Sequence, residues 1–319
     1  MKQQADSTPI QDLELPAHGL AERLPALLIE ASRVAQTVAH GIHGRRRAGP
    51  GETFWQFRQF ERGDGAPNID WRRSASSDHL YIREREWEAA HTLWIWPDLS
   101  PSMNFRSHLA EDTKRDRAVV LAFATGELAS LAGERIGLLG GDMPAAGRYA
   151  IQKIAMSMAR QEQNGTVFSS LPPRAVLRRF TECVLFSDFL DPPEQIEASC
   201  QHIAAQGVRG NLVQIFDPAE ETLPYHGRVE FAGIENGERL LAGRAEDLRQ
   251  RYMDRLAAQK AAVTDVARRL QWSYMLHHTG RPAGEALLAL HTQLSGQASD
   301  YRSTASIKAK ASESAERTA

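Results

Sequence analysis

Cysteine is nearly absent from this sequence, which has two in 319 residues, Cys183 and Cys200. Neither has a partner at the spacing of a metal or redox motif, so a zinc site, a dithiol redox centre and a disulfide framework are excluded. Both lie within apolar patterns, in "ECVLFSD" and "EASCQHI". We therefore expect two buried, reduced thiols.

An excess of charge of one sign is also missing, and so is any long apolar run. The 38 basic and 40 acidic side chains leave a formal net charge of -2, which gives no overall charge for binding nucleic acid or a membrane surface. No stretch approaches the roughly 18 to 20 apolar residues of a membrane span, and the N-terminal text lacks the apolar core of a signal peptide. We expect a cytoplasmic protein that does not insert directly into a membrane.

What the chain does contain is a regular alternation of short apolar runs and amphipathic segments. The runs "HTLWIW", "RIGLLGG", "ECVLFSD", "NLVQIFD" and "WSYMLHH" predict strands, and the segments around them predict helices over about 112–131, 147–161, 194–206, 245–270 and 283–294. Such βα units form parallel sheets. The predicted fold class is therefore α/β, with a doubly wound, mostly parallel sheet and helices on both faces.

The two ends of the chain and its first third differ from this pattern. Residues 1–20 are polar and contain proline, and residues 297–319 are small, polar and charged, so we expect a flexible N-terminus and a disordered tail. Residues 21–90 combine a helix-like spacing with aromatic, strand-like text and predict a smaller N-terminal segment. The α/β domain is predicted to span 91–296.

Acidic residues follow four of the predicted strands where each strand ends: Asp98, Asp142, Asp188 and Asp217. Ligands of open α/β sheets bind at this carboxyl edge. Ser100 and Ser102 follow Asp98, so one tight loop offers a carboxylate and two hydroxyls, hard oxygen ligands that suit Mg²⁺ or Mn²⁺. Asp188 adds a carboxylate from another strand. Asp98, Ser100, Ser102 and Asp188 together predict a metal site. One coordination position of the ion would stay open for a partner's carboxylate.

Asp98, Ser100 and Ser102 match the D-x-S-x-S motif of the metal-ion-dependent adhesion site in von Willebrand factor type A domains. The preceding text, "FWQFRQFERGDGAPNIDWRRSASSDHLYIREREWE", resembles the signature of the bacterial domain-of-unknown-function 58 family (DUF58). We expect its matching residues to be structural, with the Trp71 indole buried: Arg58, Gly63, Asp64, Asp70, Trp71, Tyr81 and Arg83.

The sequence departs from these patterns at a few positions. Asn68 and Ser76 replace basic residues of the DUF58 signature, and the loop "GGDMPAAGRYA" lacks the threonine that type A domains usually add to the site. Asp142 in this loop could replace that ligand, whereas Arg148 could fill its place and repel the ion. Both are accessory candidates at the metal edge.

The resemblance implies a von Willebrand factor type A-like domain with a non-enzymatic, protein-binding role. Members of DUF58 are commonly encoded beside MoxR-type AAA+ ATPases. The resemblance therefore also implies an adaptor in chaperone-like assembly or remodelling, with such an ATPase and other von Willebrand type A-like proteins as partners. The implied ion is Mg²⁺ or Mn²⁺.

Other interpretations stay open. Asp98, Ser100 and Ser102 could cap a helix, or Asp98 and Asp188 could form the centre of a Mg²⁺- or Mn²⁺-dependent hydrolase or phosphatase, although no D-x-D, G-x-S-x-G or Walker motif accompanies them. The arginines at 45–47, 72 and 73 could bind phosphate, but nearby acids balance them, and we expect no nucleic-acid binding. His277 and His278 are neighbours in a strand and point to opposite faces, so they cannot easily share an ion.

Overall fold

The computed structural model describes residues 19–43, 54–59, 69, 71–75, 79–85, 91–232 and 239–295. The chain divides into two compact units, one of Met1–Ala39 with Thr92–Ala319 and the other of His40–His91. The division falls inside the first helix, whereas the sequence pattern groups all of 21–90 in one segment. The predicted flexible ends lie outside the described residues, except that Leu20 is buried and begins a helix.

The described residues form ten strands: β1 (Phe54–Gln59), β2 (Tyr81–Arg85), β3 (Thr92–Pro97), β4 (Arg135–Leu138), β5 (Ala145–Ala146), β6 (Glu182–Ser187), β7 (Arg209–Phe216), β8 (Val229–Ala232), β9 (Arg239–Ala242) and β10 (Ser273–His278). β1 pairs with β2, and β8 with β9, in antiparallel fashion. The other six form one sheet in the order β10-β7-β6-β3-β4-β5, parallel except for the pair β4–β5. This confirms the predicted α/β class with a mostly parallel sheet.

The helices are α1 (Leu20–His43), α2 (Trp71–Ser74), α3 (Lys114–Leu131), α4 (Ala150–Gln163), α5 (Pro193–Ala204), α6 (Pro218–Thr222), α7 (Ala245–Arg269) and α8 (283–295), with a short 3₁₀ helix over Pro101–Asn104. Side-chain caps explain two of the starts. Thr113 accepts a hydrogen bond from the Asp116 N–H at α3, and Asp217 and Glu220 form a capping box at α6. No helix in the described part of the chain has the length and apolarity to cross a membrane.

Helices cover both faces of the six-stranded sheet. On one face, Cys183 of β6 and Cys200 of α5 belong to an apolar cluster with Val263 of α7. Both thiols are free and buried, as predicted. On the other face lies α3, where a Cβ added at Gly126 would be 3.7 Å from Ile95 of β3. α3 is buried on nearly all sides over residues 116–126, including the charged side chains of Asp116 and Arg117.

Within the larger unit, α1 buries an apolar stripe and makes several polar contacts. The stripe consists of the buried residues Leu20, Leu24, Leu27, Ala31, Ala35 and Val38. Glu162 of α4 accepts hydrogen bonds from the N–H groups of Leu20 (2.7 Å) and Ala21 (2.8 Å). Arg23 forms an ion pair with Asp116 of α3. The first turn of α1 is thus capped by a carboxylate from a distant part of the chain.

The smaller unit corrects one prediction. Trp71 begins α2 and is 63% exposed, so the expected burial of its indole is wrong. The single turn of α2 instead buries Ser74, whose hydroxyl accepts a hydrogen bond from the Tyr81 N–H (2.9 Å). The Arg73 guanidinium lies over the Tyr81 ring. Other signature positions fall outside the described residues (Gly63, Asp64 and Asp70) or have side chains that do (Arg58 and Arg83).

Candidate functional site

The sheet order brings the carboxyl ends of β3 and β6 side by side. From β3 the chain passes through α3 to β4 on one side, and from β6 it passes through α5 to β7 on the other. Ligands of doubly wound sheets bind at such switch points. Asp98 directly follows β3, and its N–H donates to the Phe186 carbonyl of β6 (2.8 Å). Asp98 therefore lies beside Ser187 and Asp188, so two of the four predicted strand-end acids meet.

Asp98 is fully buried, and both of its carboxylate oxygens accept hydrogen bonds. Oδ1 accepts from the Ser100 N–H (2.8 Å), and Oδ2 accepts from the Ser187 hydroxyl (2.7 Å). Burial, followed by the nearby Asp188 carboxylate, raises the pKa of Asp98 to about 6, although the hydrogen bonds act in the opposite direction.

The hydroxyls of Ser100 and Ser102 lie 3.1 Å apart. Ser100 is buried and Ser102 is partly exposed. Ser100 precedes the short 3₁₀ helix, but its side chain makes no capping hydrogen bond to that helix. Helix capping therefore does not explain the position of the Ser100 hydroxyl. The hydroxyls of Ser100 and Ser102 instead place two oxygen atoms side by side next to Asp98, where both could act as metal ligands.

Asp188 has a partner that the sequence reasoning missed. The Lys114 ammonium lies 2.8 Å from Asp188 Oδ2 and 2.6 Å from Glu220 Oε1. The lysine side chain is 1% exposed, and the Phe105 ring lies beside its ammonium. Burial lowers the pKa of Lys114, but Asp188 and Glu220 more than offset this and hold the pKa above its ordinary value. The lysine is therefore a permanent cation inside the site.

One signal in the sequence could have identified Lys114. The residue is the first of α3, in "TKRDRAVVLAFATGEL", and the positive end of the helix dipole disfavours a cation at that position. The rest of α3 is almost entirely buried. A lysine at the start of a core helix needs an anionic partner, although the sequence does not say which one.

Asp217 and Gln214, on the neighbouring strand end, have structural roles. Asp217 is buried, and its carboxylate accepts hydrogen bonds from the N–H groups of Ser107 (2.8 Å) and Ala219 (2.8 Å). Gln214 Nε2 donates to the main-chain carbonyl of Asp188 (2.6 Å). These contacts fix the β3–α3 loop and the β6 end against β7.

The two accessory candidates lie at different edges. Asp142 is exposed in the loop that follows β4, at the carboxyl edge. β5 then runs antiparallel to β4 and pairs Ala146 with Arg135, the first residue of β4. Arg148 therefore follows at the amino edge, and its prediction as a residue of the metal edge is wrong. The two-residue β5 reverses the chain before Arg148 is reached.

The two histidines at the end of β10 each have other neighbours. His277 Nε2 is 3.5 Å from the Arg117 guanidinium, and burial followed by that cation lowers the pKa of His277 to about 3. His278 Nε2 lies 2.6 Å from Glu221. Of the arginines considered for phosphate binding, Arg72 and Arg73 are exposed, and those at 45–47 lie outside the described residues.

The donors fit a divalent ion in part. Octahedral Mg²⁺ with oxygens at about 2.1 Å has neighbouring ligands about 3 Å apart, and the two serine hydroxyls lie 3.1 Å apart. Asp98, Ser100 and Ser102 could hold such an ion. Among the described residues there is no group of three or more His, Cys, Asp or Glu side chains arranged to bind a metal. Any ion here would therefore depend on hydroxyls.

The fold and the site together define a mostly parallel α/β protein with a buried carboxylate and hydroxyl cluster at the switch point of its sheet. The family model described as "Protein of unknown function DUF58" matches residues 56–262. This range contains the Asp98 loop, Lys114, Asp188 and Glu220. The chain belongs to the DUF58 family, as its signature residues indicate.

The chain is also similar to uncharacterized mycobacterial proteins. It is 27% identical over 291 residues to uncharacterized protein Rv1480 of Mycobacterium tuberculosis and to uncharacterized protein Mb1516 of Mycobacterium bovis, which covers 86% of this chain and 85% of each relative. A structural match is the crystal structure of conserved hypothetical protein BatB from Bacteroides thetaiotaomicron. It is 11% identical, with a TM-score of 0.34 over 65% of this chain and 100% of that one, a likeness too low to carry an argument.

Proposed function

We propose that this chain is a non-enzymatic protein-interaction module, built on a von Willebrand factor type A-like domain, that docks a partner at the carboxyl edge of its sheet. The partner is a MoxR-type AAA+ ATPase, and the chain acts as an adaptor in chaperone-like assembly or remodelling, alongside other von Willebrand type A-like proteins. The observation that carries the proposal is the meeting of Asp98, Ser100 and Ser102 with Asp188 at the switch point. The identity of the ATPase rests on family membership.

The geometry favours binding over catalysis. Asp98 is 0% exposed and Ser100 is 1% exposed, so neither side chain is presented to solvent as a nucleophile. Both Asp98 oxygens already accept hydrogen bonds. Lys114 is held as a cation by two carboxylates and cannot act as a general base. These contacts argue against the alternative of a hydrolase or phosphatase centred on Asp98 and Asp188.

The surface around the buried centre suits a protein partner. Ser102 is partly exposed, and two large apolar side chains at the same edge, Leu109 and Leu190, are 44% and 43% exposed. Apolar side chains around a few polar groups are typical of protein interfaces. A Mg²⁺ or Mn²⁺ ion held by Asp98 and the two serines would supply an electrophilic position for a partner's carboxylate.

Binding to a purified MoxR-type ATPase from the same genome tests the proposal. We expect saturable binding by the full chain in the presence of Mg²⁺ and ATP. The double variant Ser100→Ala/Ser102→Ala should weaken it by roughly tenfold or more, since the loop lies at the docking edge. Ser130→Ala is the matched control because Ser130 lies near the end of α3, where its hydroxyl donates to the Gly147 carbonyl at the amino edge.

Two outcomes would contradict the proposal. If the chain does not bind the ATPase, or if the double variant and Ser130→Ala bind it equally well, the carboxyl edge is not the docking surface. Turnover of a phosphate ester with Mn²⁺ that disappears in Asp98→Asn would establish the hydrolase alternative instead.

A further inference from the structure

The Asp188 side chain is held on both of its oxygens. Oδ2 accepts a hydrogen bond from the Lys114 ammonium (2.8 Å), and Oδ1 accepts one from the Leu190 N–H (3.3 Å). The main-chain carbonyl of Asp188 is also fixed, by Gln214. Asp188 is therefore turned toward a cation that the chain itself provides.

Asp98, by contrast, has no cation among its hydrogen-bond partners in the part of the chain that the structure describes. Its oxygens accept from a main-chain N–H and from the Ser187 hydroxyl. The two carboxylates come from adjacent strands of the sheet, yet only one of them forms an ion pair in the described structure. The site is thus divided into an internally neutralised carboxylate and a carboxylate that faces the serine hydroxyls.

A divalent ion bound to both carboxylates would share Asp188 with the ammonium of Lys114. Two cations would then lie within a few ångströms in a buried environment, where their repulsion is strong because little water screens it. Glu220 cannot remove this conflict, since it belongs to the capping box of α6 and already contacts Lys114.

We propose that Lys114 is a resident counter-ion that removes Asp188 from the ligand set, so that any divalent ion at this edge is held by Asp98, Ser100 and Ser102 and its affinity is limited by Lys114. Lys114 acts through Asp188 and is a positioning residue. This inference concerns the ion and holds whether or not the edge docks a protein.

Mn²⁺ titrations of the full chain, followed by calorimetry and thermal shift, test this inference in a double-mutant cycle. Lys114→Met should bind Mn²⁺ roughly tenfold or more tightly than the wild type, because Asp188 becomes available and a positive charge is lost. Lys114→Met/Asp188→Asn removes both charges of the pair and should bind within about threefold of the wild type. Lys153→Met, at an exposed lysine of α4, is the matched control.

Each result decides the inference. A double variant that loses the Mn²⁺ binding of the wild type would show that Asp188 is a ligand despite Lys114, and would overturn it. Unchanged affinity, or no binding, in folded Lys114→Met would also overturn it. If Lys114→Met does not fold, the same cycle is measured in a Glu220→Gln background, which leaves one buried carboxylate unpaired instead of two. If the wild type does not bind Mn²⁺ but the Lys114→Met variant does, the result supports the inference.

Discussion

Strand β6 has a buried carboxylate near each end, and the two carboxylates have different partners. Glu182, the first residue, is 7% exposed, and Asp188, just after the last, is 1% exposed. Glu182 has the side-chain amide of Asn211 at 3.5 Å, and burial raises its pKa to about 7. Asp188 instead has the Lys114 ammonium at 2.8 Å.

The difference separates a buried acid with one weak partner from a buried acid that is paired with a cation. An acid that can keep its proton near neutral pH avoids the cost of burying a charge, so a single weak partner suffices. A buried acid that stays charged needs a cation and a full set of hydrogen bonds. Glu182 at the amino edge follows the first route, and Asp188 at the carboxyl edge, with its lysine partner, follows the second. The carboxyl edge therefore maintains charge in the core where the ligand site of a doubly wound sheet is expected.

Removing the cation of the carboxyl edge should have the largest effect on stability. Lys114→Met leaves Asp188 and Glu220 as buried carboxylates without their ion pair, and we expect the free energy of unfolding to fall by about 3–5 kcal/mol. Urea denaturation at pH 7.5 measures it. Lys153→Met should change stability by less than about 0.5 kcal/mol. A loss below about 1 kcal/mol in Lys114→Met would mean that the ion pair contributes no net stability.

The acid of the amino edge should reveal itself by its pH dependence. Because burial raises the folded pKa of Glu182 to about 7, above its ordinary value of 4.5, its contribution to stability is complete below pH 4.5 and is lost as the pH rises through 7. Relative to Glu182→Gln, the wild type should lose about 3 kcal/mol across this window. Parallel pH dependence in the two proteins would show that Glu182 has an ordinary pKa.

Asp98 should show the same sign over a window that ends at lower pH. Its folded pKa is about 6 against an ordinary value of 3.8, so in EDTA the wild type should lose up to about 3 kcal/mol relative to Asp98→Asn as the pH rises through this range. Added Mn²⁺ should reduce this loss, because an ion stabilises the charged form, and it should leave the Glu182 profile unchanged. An equal Mn²⁺ response in Asp98→Asn and the wild type would place the ion elsewhere.

A packing change at the amino edge should have the smallest effect and leave the site intact. A Cβ at Gly210 would lie 2.1 Å from the Trp272 ring, so Gly210→Ala should lower stability by about 1–3 kcal/mol through overpacking. Gly243→Ala, with nothing within 4 Å of the added Cβ, is the control. Altered Mn²⁺ affinity in a folded Gly210→Ala variant would mean that the two edges are coupled.

Sequence reasoning predicted the elements whose signals are local. Apolar runs that end in a polar residue identified β3, β4, β6, β7 and β10, and the helical spacing identified the five long helices that follow them. The predicted metal ligands Asp98, Ser100 and Ser102 could be recognised because they occupy every second position of one short segment. The signature in the sequence before Asp98 predicted membership of the DUF58 family, and the family match confirms this membership.

The missed features depend on distant or very short segments. Lys114 is separated by 74 residues from Asp188 and by 106 from Glu220, so no local pattern reveals their ion pairs. β5 has two residues, too few for an alternation of side chains, and without it Arg148 was placed at the wrong edge. Trp71 was assigned to the core by residue type, but a single-turn helix can bury only one side.

The capping of α1 has a consequence for the order of events on the ribosome. Glu162, which caps the first turn, is 142 residues after Leu20, and at roughly 5–20 residues per second it is synthesised roughly 7 to 28 s later. Asp116, the partner of Arg23, also follows α1. α1 therefore leaves the ribosome before the groups that cap and pair with its first turn, and its apolar stripe stays open to chaperones until α3 and α4 have been made.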